Sequence, residues 1–390
     1  MIDHLIVHIG IYKTGTTSLQ SVLSANRGIL KAHGVHYPDH GLDSHSTLAS
    51  SVMQKNWGWA DRGETTFSPW YWNNFVKDLA KLTGTVLISS EFFCQADDAQ
   101  VAKIKASLPN CKITVVIGLR PLNELLWSTY QQLIKFGRHY SVDEWLQSVF
   151  DDFDSGNLNS GFWLRNHQDR LISRWGEEFG KENLRIVTSD PRQPALALNL
   201  IKDLAGMSQV ELDEKSADLN KNRSMTVIET EVVRDINKAI FEKVDWPIYR
   251  QVLRRGAIER IVKIRVPPTS EQQSAISEWA TLRAVEIQNE WTNSFLMSSL
   301  KVTPDWSRLL VSTPKIDLPS DKISTVPMDL VETIASGMIS AVAYGTYDFS
   351  RNRNKYILNA REMRFPVLIR YVIERMGDTL SRLIRKVPRV

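Results

Sequence analysis

Residues 8–20 read HIGIYKTGTTSLQ, and the reading of that run decides the fold. It continues a β-branched opening, MIDHLIVHI, and residues 16–33 follow it with apolar side chains at helical spacing: Leu19, Val22, Leu23 and Leu30. Strand, glycine loop and helix in that order form a cradle where backbone N–H groups and a helix N-terminus meet a phosphate. Gly10 and Gly15 keep the separation of a G-x-x-x-x-G-K-[ST] loop, yet Thr16 stands where that loop has its lysine. The lysine comes early, as Lys13, over the arch of the loop, and Thr14, Thr16 and Thr17 supply hydroxyls. Such a site suits a 5′-phosphate that carries one further group, with no obligatory metal.

Three more strands are expected downstream: TVLISSEFF (85–93), KITVVIGLR (112–120) and NLRIVTS (183–189). Between them lie the helical runs DDAQVAKIKASL and DRLISRWGEEFG, the second stopped by Gly180. Strands alternating with helices predict an α/β fold, a P-loop-type parallel sheet flanked by helices with helical C-terminal additions. After about residue 191 the strand signal fades. Pro304, Pro314, Pro319 and Pro327 mark 302–327 as a linker or surface loop, dividing a 1–301 domain from a helical appendage at 328–390.

The 390 residues are 43% hydrophobic and 24% charged, an ordinary globular composition, and a net charge of +4 does not suit a nucleic-acid binder. Cys94 and Cys111 form neither a disulfide framework nor a zinc spacing and suit a reducing, cytoplasmic setting. The N-terminus lacks the basic start of a signal peptide, and no run has the length of a membrane span. The basic, amphipathic end LSRLIRKVPRV is either a solvated helix end or a weak contact with a membrane surface or a protein.

Lys13-Thr14-Gly15-Thr16-Thr17 resembles the 5′-phosphosulfate loop of sulfotransferases that use 3′-phosphoadenosine 5′-phosphosulfate (PAPS), and the wider stretch is similar to their bacterial branch. That family carries a second signature, an arginine at a strand end and a serine eight residues on, both for the 3′-phosphate. VVIGLRPLNELLWSTYQQLIK matches it with Arg120 and Ser128, followed by Tyr130, and Pro121 suits helix position N1. The likeness runs over roughly 1–240 and implies PAPS as cofactor, with Lys13, Thr14, Gly15, Thr16 and Thr17 at its 5′ end and Arg120 and Ser128 at its 3′-phosphate. Asn222 and Ser224, in NKNRSMTVIETEVVRDIN, are weaker cofactor candidates beside a plain helix N-cap role. The glycine-rich C-terminal motif of the cytosolic branch is absent, with Arg254-Arg255-Gly256 as a faint echo, and Thr188-Ser189 replaces a strand-ending tyrosine.

Sulfuryl transfer needs positive charge on the leaving oxygen, the place of Lys13, and a base for the acceptor hydroxyl. The resemblance implies a glutamate or a histidine, and two residues compete for the role. Glu91 follows a strand at its carboxyl end, where parallel sheets gather ligands. His45 lies in a loop after Tyr37-Pro38. His33, His36, His40 and His45 fit no standard metal pattern. NWGWADRGETTFSPWYW, with Trp57, Trp59, Trp70, Tyr71 and Trp72, is a carbohydrate platform or the packing of an irregular segment. Arg138 and His139 are either contacts for an anionic acceptor or a solvated helix end.

The sequence therefore reads as a sulfotransferase acting on a hydroxyl, with a glycan as the favoured acceptor. Its rivals are a P-loop kinase with a degenerate loop and a non-catalytic nucleotide-binding module of the same fold.

Overall fold

The computed structural model describes residues 2–39, 44–59, 62–159, 161–190, 192–213, 223–241, 243–310 and 325–343, and in 57–64 the backbone alone. The chain forms two compact units. The first comprises Met1–Leu126, Leu146–Leu219 and Trp279–Lys315; the second comprises Trp127–Trp145, Asn220–Glu278 and Ile316–Val390.

The strands are β1 (Ile2–Gly10), β2 (Val35–His36), β3 (Trp57–Trp59), β4 (Arg62–Thr65), β5 (Gly84–Ser89), β6 (Lys112–Leu119), β7 (Leu184–Thr188) and β8 (Lys301–Thr303). In the first unit six of them make one sheet in the order β2-β5-β1-β6-β7-β8, every pair parallel. A parallel sheet buried on both faces needs near-continuous apolar strands, and LIV in β1, VLI in β5 and ITVVI in β6 meet that need. One face carries Ile6, Leu87, Val116 and Val187 against Leu19, Val22 and Leu23 of the helix Thr16–Ala25 and Leu198 and Ile201 of the helix Leu196–Leu204. β3 and β4 form a separate antiparallel pair.

Several elements differ from the sequence expectation, each for a local reason. TVLISSEFF is not one strand: it leaves the sheet at Ser89, and the Ser90 side chain accepts from Phe92 N to start a 3₁₀ turn, Glu91–Gln95. Strand structure does not end near residue 191, because Lys301–Thr303 adds an edge strand beside β7. Pro121 stands just before the first residue of the helix Leu122–Lys135, not at N1, and its carbonyl accepts from Glu124 and Leu125. Gly180 ends its helix as expected, at φ 84.

The described residues of the second unit form helices and their connections. Thr226 and Glu229 form a reciprocal capping box at the start of Val227–Ile240. Arg265, 1% exposed in its side chain, binds Glu229 at 2.7 Å, Asp329 at 2.8 Å and Glu271. These bonds tie the start of the helix Met328–Ala343 to the rest of the unit. That helix crosses the π-helical stretch Tyr249–Ile258 closely enough that a Cβ on Gly337 would lie 2.5 Å from the Gly256 carbonyl oxygen. Arg254-Arg255-Gly256 thus belongs to a packed helix, with the Arg254 guanidinium 3.7 Å from the centre of the Phe136 ring. Residues 344–390, with the basic end LSRLIRKVPRV, and most of 302–327 lie outside the described residues. No helix among the described residues is long and apolar enough to cross a membrane.

Candidate active site

Three adjacent strands of the first unit, β5, β1 and β6, deliver one charged residue each just past their carboxyl ends: Glu91, Lys13 and Arg120. This is where open parallel sheets bind ligands, because the loops there diverge while the strands hold their bases fixed. The loop after β1 folds tightly back on itself. Thr14 Oγ1 donates to the Ile11 carbonyl at 2.8 Å, and Ile11 N donates to the Gly118 carbonyl at 3.0 Å. Gly10 must be glycine here, since a Cβ would meet Thr14 Oγ1 at 2.6 Å and Thr16 Cγ2 at 2.7 Å. Gly15 sits at φ 84 and opens the helix Thr16–Ala25 with no side-chain cap and no acidic residue in the first turn. An anion suits that end, where uncapped N–H groups and the helix dipole point the same way.

Lys13 itself has φ 71, a left-handed conformation that non-glycine residues take only under constraint. Part of the constraint is Arg120, whose Nη1 donates to the Lys13 carbonyl at 3.0 Å while its Nε donates to Glu124 Oε2 at 2.8 Å. Glu124 also accepts from Arg308. The residue surface of Lys13 reaches solvent, whereas its ammonium end is crowded by protein. That desolvation, and next the Arg120 guanidinium, pull its pKa below the usual lysine value, with the Glu91 carboxylate opposing.

Glu91 is partly buried, and its Oε2 accepts from Gln20 Nε2 at 3.1 Å. Behind it the Ser89 hydroxyl meets Gln20 Nε2 at 3.2 Å and His8 Nδ1 at 2.7 Å. His8 is 2% exposed, and burial lowers its pKa to about 4, so the ring is neutral near pH 7. His45 also reaches this strand end, in a different way. Its Nδ1 accepts from Ser89 N at 3.1 Å, its Nε2 faces the Pro38 carbonyl at 3.0 Å, and its own N–H donates to the Ser89 carbonyl. The tautomer is therefore the Nε2–H form, with both ring nitrogens turned to backbone.

The other residues singled out by sequence fall in several places. Ser128 is buried on the helix Leu122–Lys135, in the second unit. Tyr130 donates to the Tyr140 carbonyl at 3.0 Å. Asn222 lies outside the described residues; Ser224 is exposed, and Thr226 holds the helix N-cap. Thr188 is buried and turned to the backbone oxygens of Thr303 and Asp305. In the aromatic stretch, Trp70 is 60% exposed and lies edge-to-face with Tyr71. Trp72 points inward at 3% exposed and donates to Ser107, so it belongs to the core. The side chains of Trp57 and Trp59 lie outside the described residues. His33 and His36 face the carbonyls of Ile29 and Thr83, and His40 lies outside the described residues. No group of three metal-ligating side chains forms among the described residues. Arg138 offers its carbonyl to Asn237, and His139 packs on Phe241 in the second unit.

Gln20 escaped the sequence reading although it lies in the stretch that decides the fold. The signal was present: an amide one helical turn beyond Thr16, on the face that carries Leu19 and Leu23 into the core, must find polar partners.

No protein-family model matches the chain, and no curated protein matches it. Among solved structures it is similar to the crystal structure of a sulfotransferase from Alicyclobacillus acidocaldarius. The identity is 16% and the TM-score 0.40, covering 62% of this chain and 92% of that one. At that distance function has to be read from the chain's own residues.

Proposed function

We propose that the protein is a PAPS-dependent sulfotransferase that transfers a sulfuryl group to a hydroxyl, with a carbohydrate as the favoured acceptor class. The observation that carries the reading is the position of Lys13, early in the glycine loop and left-handed, with its carbonyl held by Arg120. A triphosphate loop needs its lysine after the second glycine. Here Thr16 holds that place, and the cation lies on the arch instead. The uncapped helix start and the Gly10 cradle that a Cβ would fill fit a phosphate-bearing group.

In this reading the loop amides with Thr14, Gly15, Thr16 and Thr17 hold the 5′ end, and Arg120 takes the 3′-phosphate. PAPS supplies the sulfuryl group. The acceptor oxygen bonds to sulfur as the sulfur–oxygen bond to the 5′-phosphate breaks. The acceptor proton passes to a protein base, and the electron pair leaves on the phosphate oxygen, where Lys13 offsets the charge. Glu91 is favoured over His45 as the base, because the carboxylate has lone pairs to spare whereas both His45 nitrogens are turned to backbone. The exposed pair Trp70 and Tyr71 supports a sugar-binding surface.

Isothermal titration with 3′-phosphoadenosine 5′-phosphate (PAP), set against ADP and against ATP with magnesium, tests the reading. Tight metal-independent binding of PAP alone is the expected result. ATP with magnesium binding as well or better would sink it in favour of a kinase. PAP binding with no transfer to any acceptor in a glycan screen would leave the non-catalytic module.

A further inference from the structure

Gln20 is 4% exposed and sits on the helix that begins at the glycine loop, yet its side-chain amide reaches across to the end of β5 and the turn just beyond it. Its Nε2 donates to Glu91 Oε2 at 3.1 Å, to Ser89 Oγ at 3.2 Å and to the Ser89 carbonyl at 3.4 Å. A carboxylate oxygen and a carbonyl only accept, so the amide's NH₂ end must face them and its orientation follows from its partners. Ser89 is pinned in turn. Its N–H and carbonyl are bonded to His45, and its hydroxyl meets the neutral His8. The buried amide therefore bridges a fixed point, Ser89, and a partly exposed one, Glu91.

We propose that Gln20 is a positioning residue for Glu91, fixing the carboxylate that takes the acceptor's proton relative to the loop that holds the sulfuryl donor. The role given to Glu91 rests on the sulfotransferase reading above. A single helix, Thr16–Ala25, then presents its first turn to the 5′ end of the donor and its second turn to the base. Donor and base keep one spacing, as in-line transfer requires.

The test uses two shape-conserving variants of the full chain, Gln20→Met, which removes the donor, and Gln20→Glu, which replaces it with an acceptor. Single-turnover hydrolysis of PAPS, with water as the acceptor and sulfate and PAP as products, reads the base without a known acceptor. Either variant should slow hydrolysis roughly 10- to 100-fold, as small misplacements of reacting groups do, with PAP affinity held within about twofold. In a Glu91→Gln background, Gln20→Met should cost nothing further, because residues that act through one another are non-additive. Hydrolysis by Gln20→Met at the parent rate, or a loss that adds in full to that of Glu91→Gln, overturns the proposal.

Crystal structures of the parent protein and Gln20→Met give a readout that needs no nucleotide. Glu91 should leave its place in the variant, and an unmoved carboxylate overturns the positioning role. If the parent protein binds no PAP while Glu91 still shifts in the variant, the positioning stands and only the sulfotransferase reading falls.

Discussion

Arg120 donates from Nη1 to the backbone oxygen of Lys13 at 3.0 Å, so the residue just past the end of β6 also braces the loop that follows β1. The same guanidinium binds Glu124 through Nε, and both partners are fixed by its planar fork. Arg120→Lys keeps the charge but cannot make both bonds. It should weaken PAP binding about tenfold, and Arg120→Ala should weaken it further, to a total of about 1.5–3 kcal/mol, the range of a charge-assisted hydrogen bond. ADP, which shares the 5′ loop but has no 3′-phosphate, should lose less affinity than PAP in both variants. Titration calorimetry checks this, and equal losses for PAP and ADP would show that Arg120 only braces the loop.

Lys13 combines a left-handed backbone with the cation proposed for the leaving oxygen, and substitution can separate the two. Lys13→Gly relieves the φ of 71 and removes the charge; Lys13→Ala removes the charge and keeps the strain. Both should lower transfer roughly 10²–10³-fold, the cost of a lost transition-state donor. Lys13→Gly should therefore have the higher urea midpoint of the two, while Lys13→Ala stays near the parent. Transfer by Lys13→Gly near the parent rate would exclude the ammonium from the chemistry.

Acid should destabilise the protein through its buried histidines. Burial pulls His4, His8 and His167 from 6.5 to about 4, so each stays neutral in the folded state while the unfolded chain takes up protons below pH 6.5. Their contribution is complete above pH 6.5 and is lost as the pH falls to 4, roughly 3 kcal/mol for His8 if the whole shift counts. In His8→Asn the amide can still bond Ser89, so its stability should fall less steeply over that window. Urea midpoints from pH 4 to 7 for the two proteins provide the check, and parallel curves would remove His8 from the account.

Gly337 and Gly256 allow two helical segments of the second unit to touch backbone to backbone. A Cβ on Gly337 would stand 2.5 Å from the Gly256 oxygen and 3.1 Å from Ala257 Cα, neither of which can yield cheaply. Gly337→Ala should cost about 1–3 kcal/mol as overpacking, despite the better helix propensity of alanine. Thermal denaturation of the variant tests this, and an unchanged or raised midpoint would mean that the crossing can open.

The sequence alone determined the strand, glycine loop and helix of residues 2–25, the three longer strands that follow, and the charged residues Lys13, Glu91 and Arg120 beyond strand ends. All of these are local: apolar runs, a glycine pair, a lysine out of its usual place. Tertiary structure decided the rest. β2 and β8 are too short to carry a periodic signal and exist because β5 and β7 offer them an open edge. Strand order sets β5 and β6 on either side of β1, so that residues 13, 91 and 120 follow the ends of adjacent strands. Within one aromatic run, packing turned Trp72 inward and left Trp70 outside. The bond from Gln20 to Glu91 joins positions 71 residues apart, and the engagement of His45 with Ser89 joins positions 44 apart. Hydrogen bonds at such separations depend on where the chain returns, which no local pattern encodes.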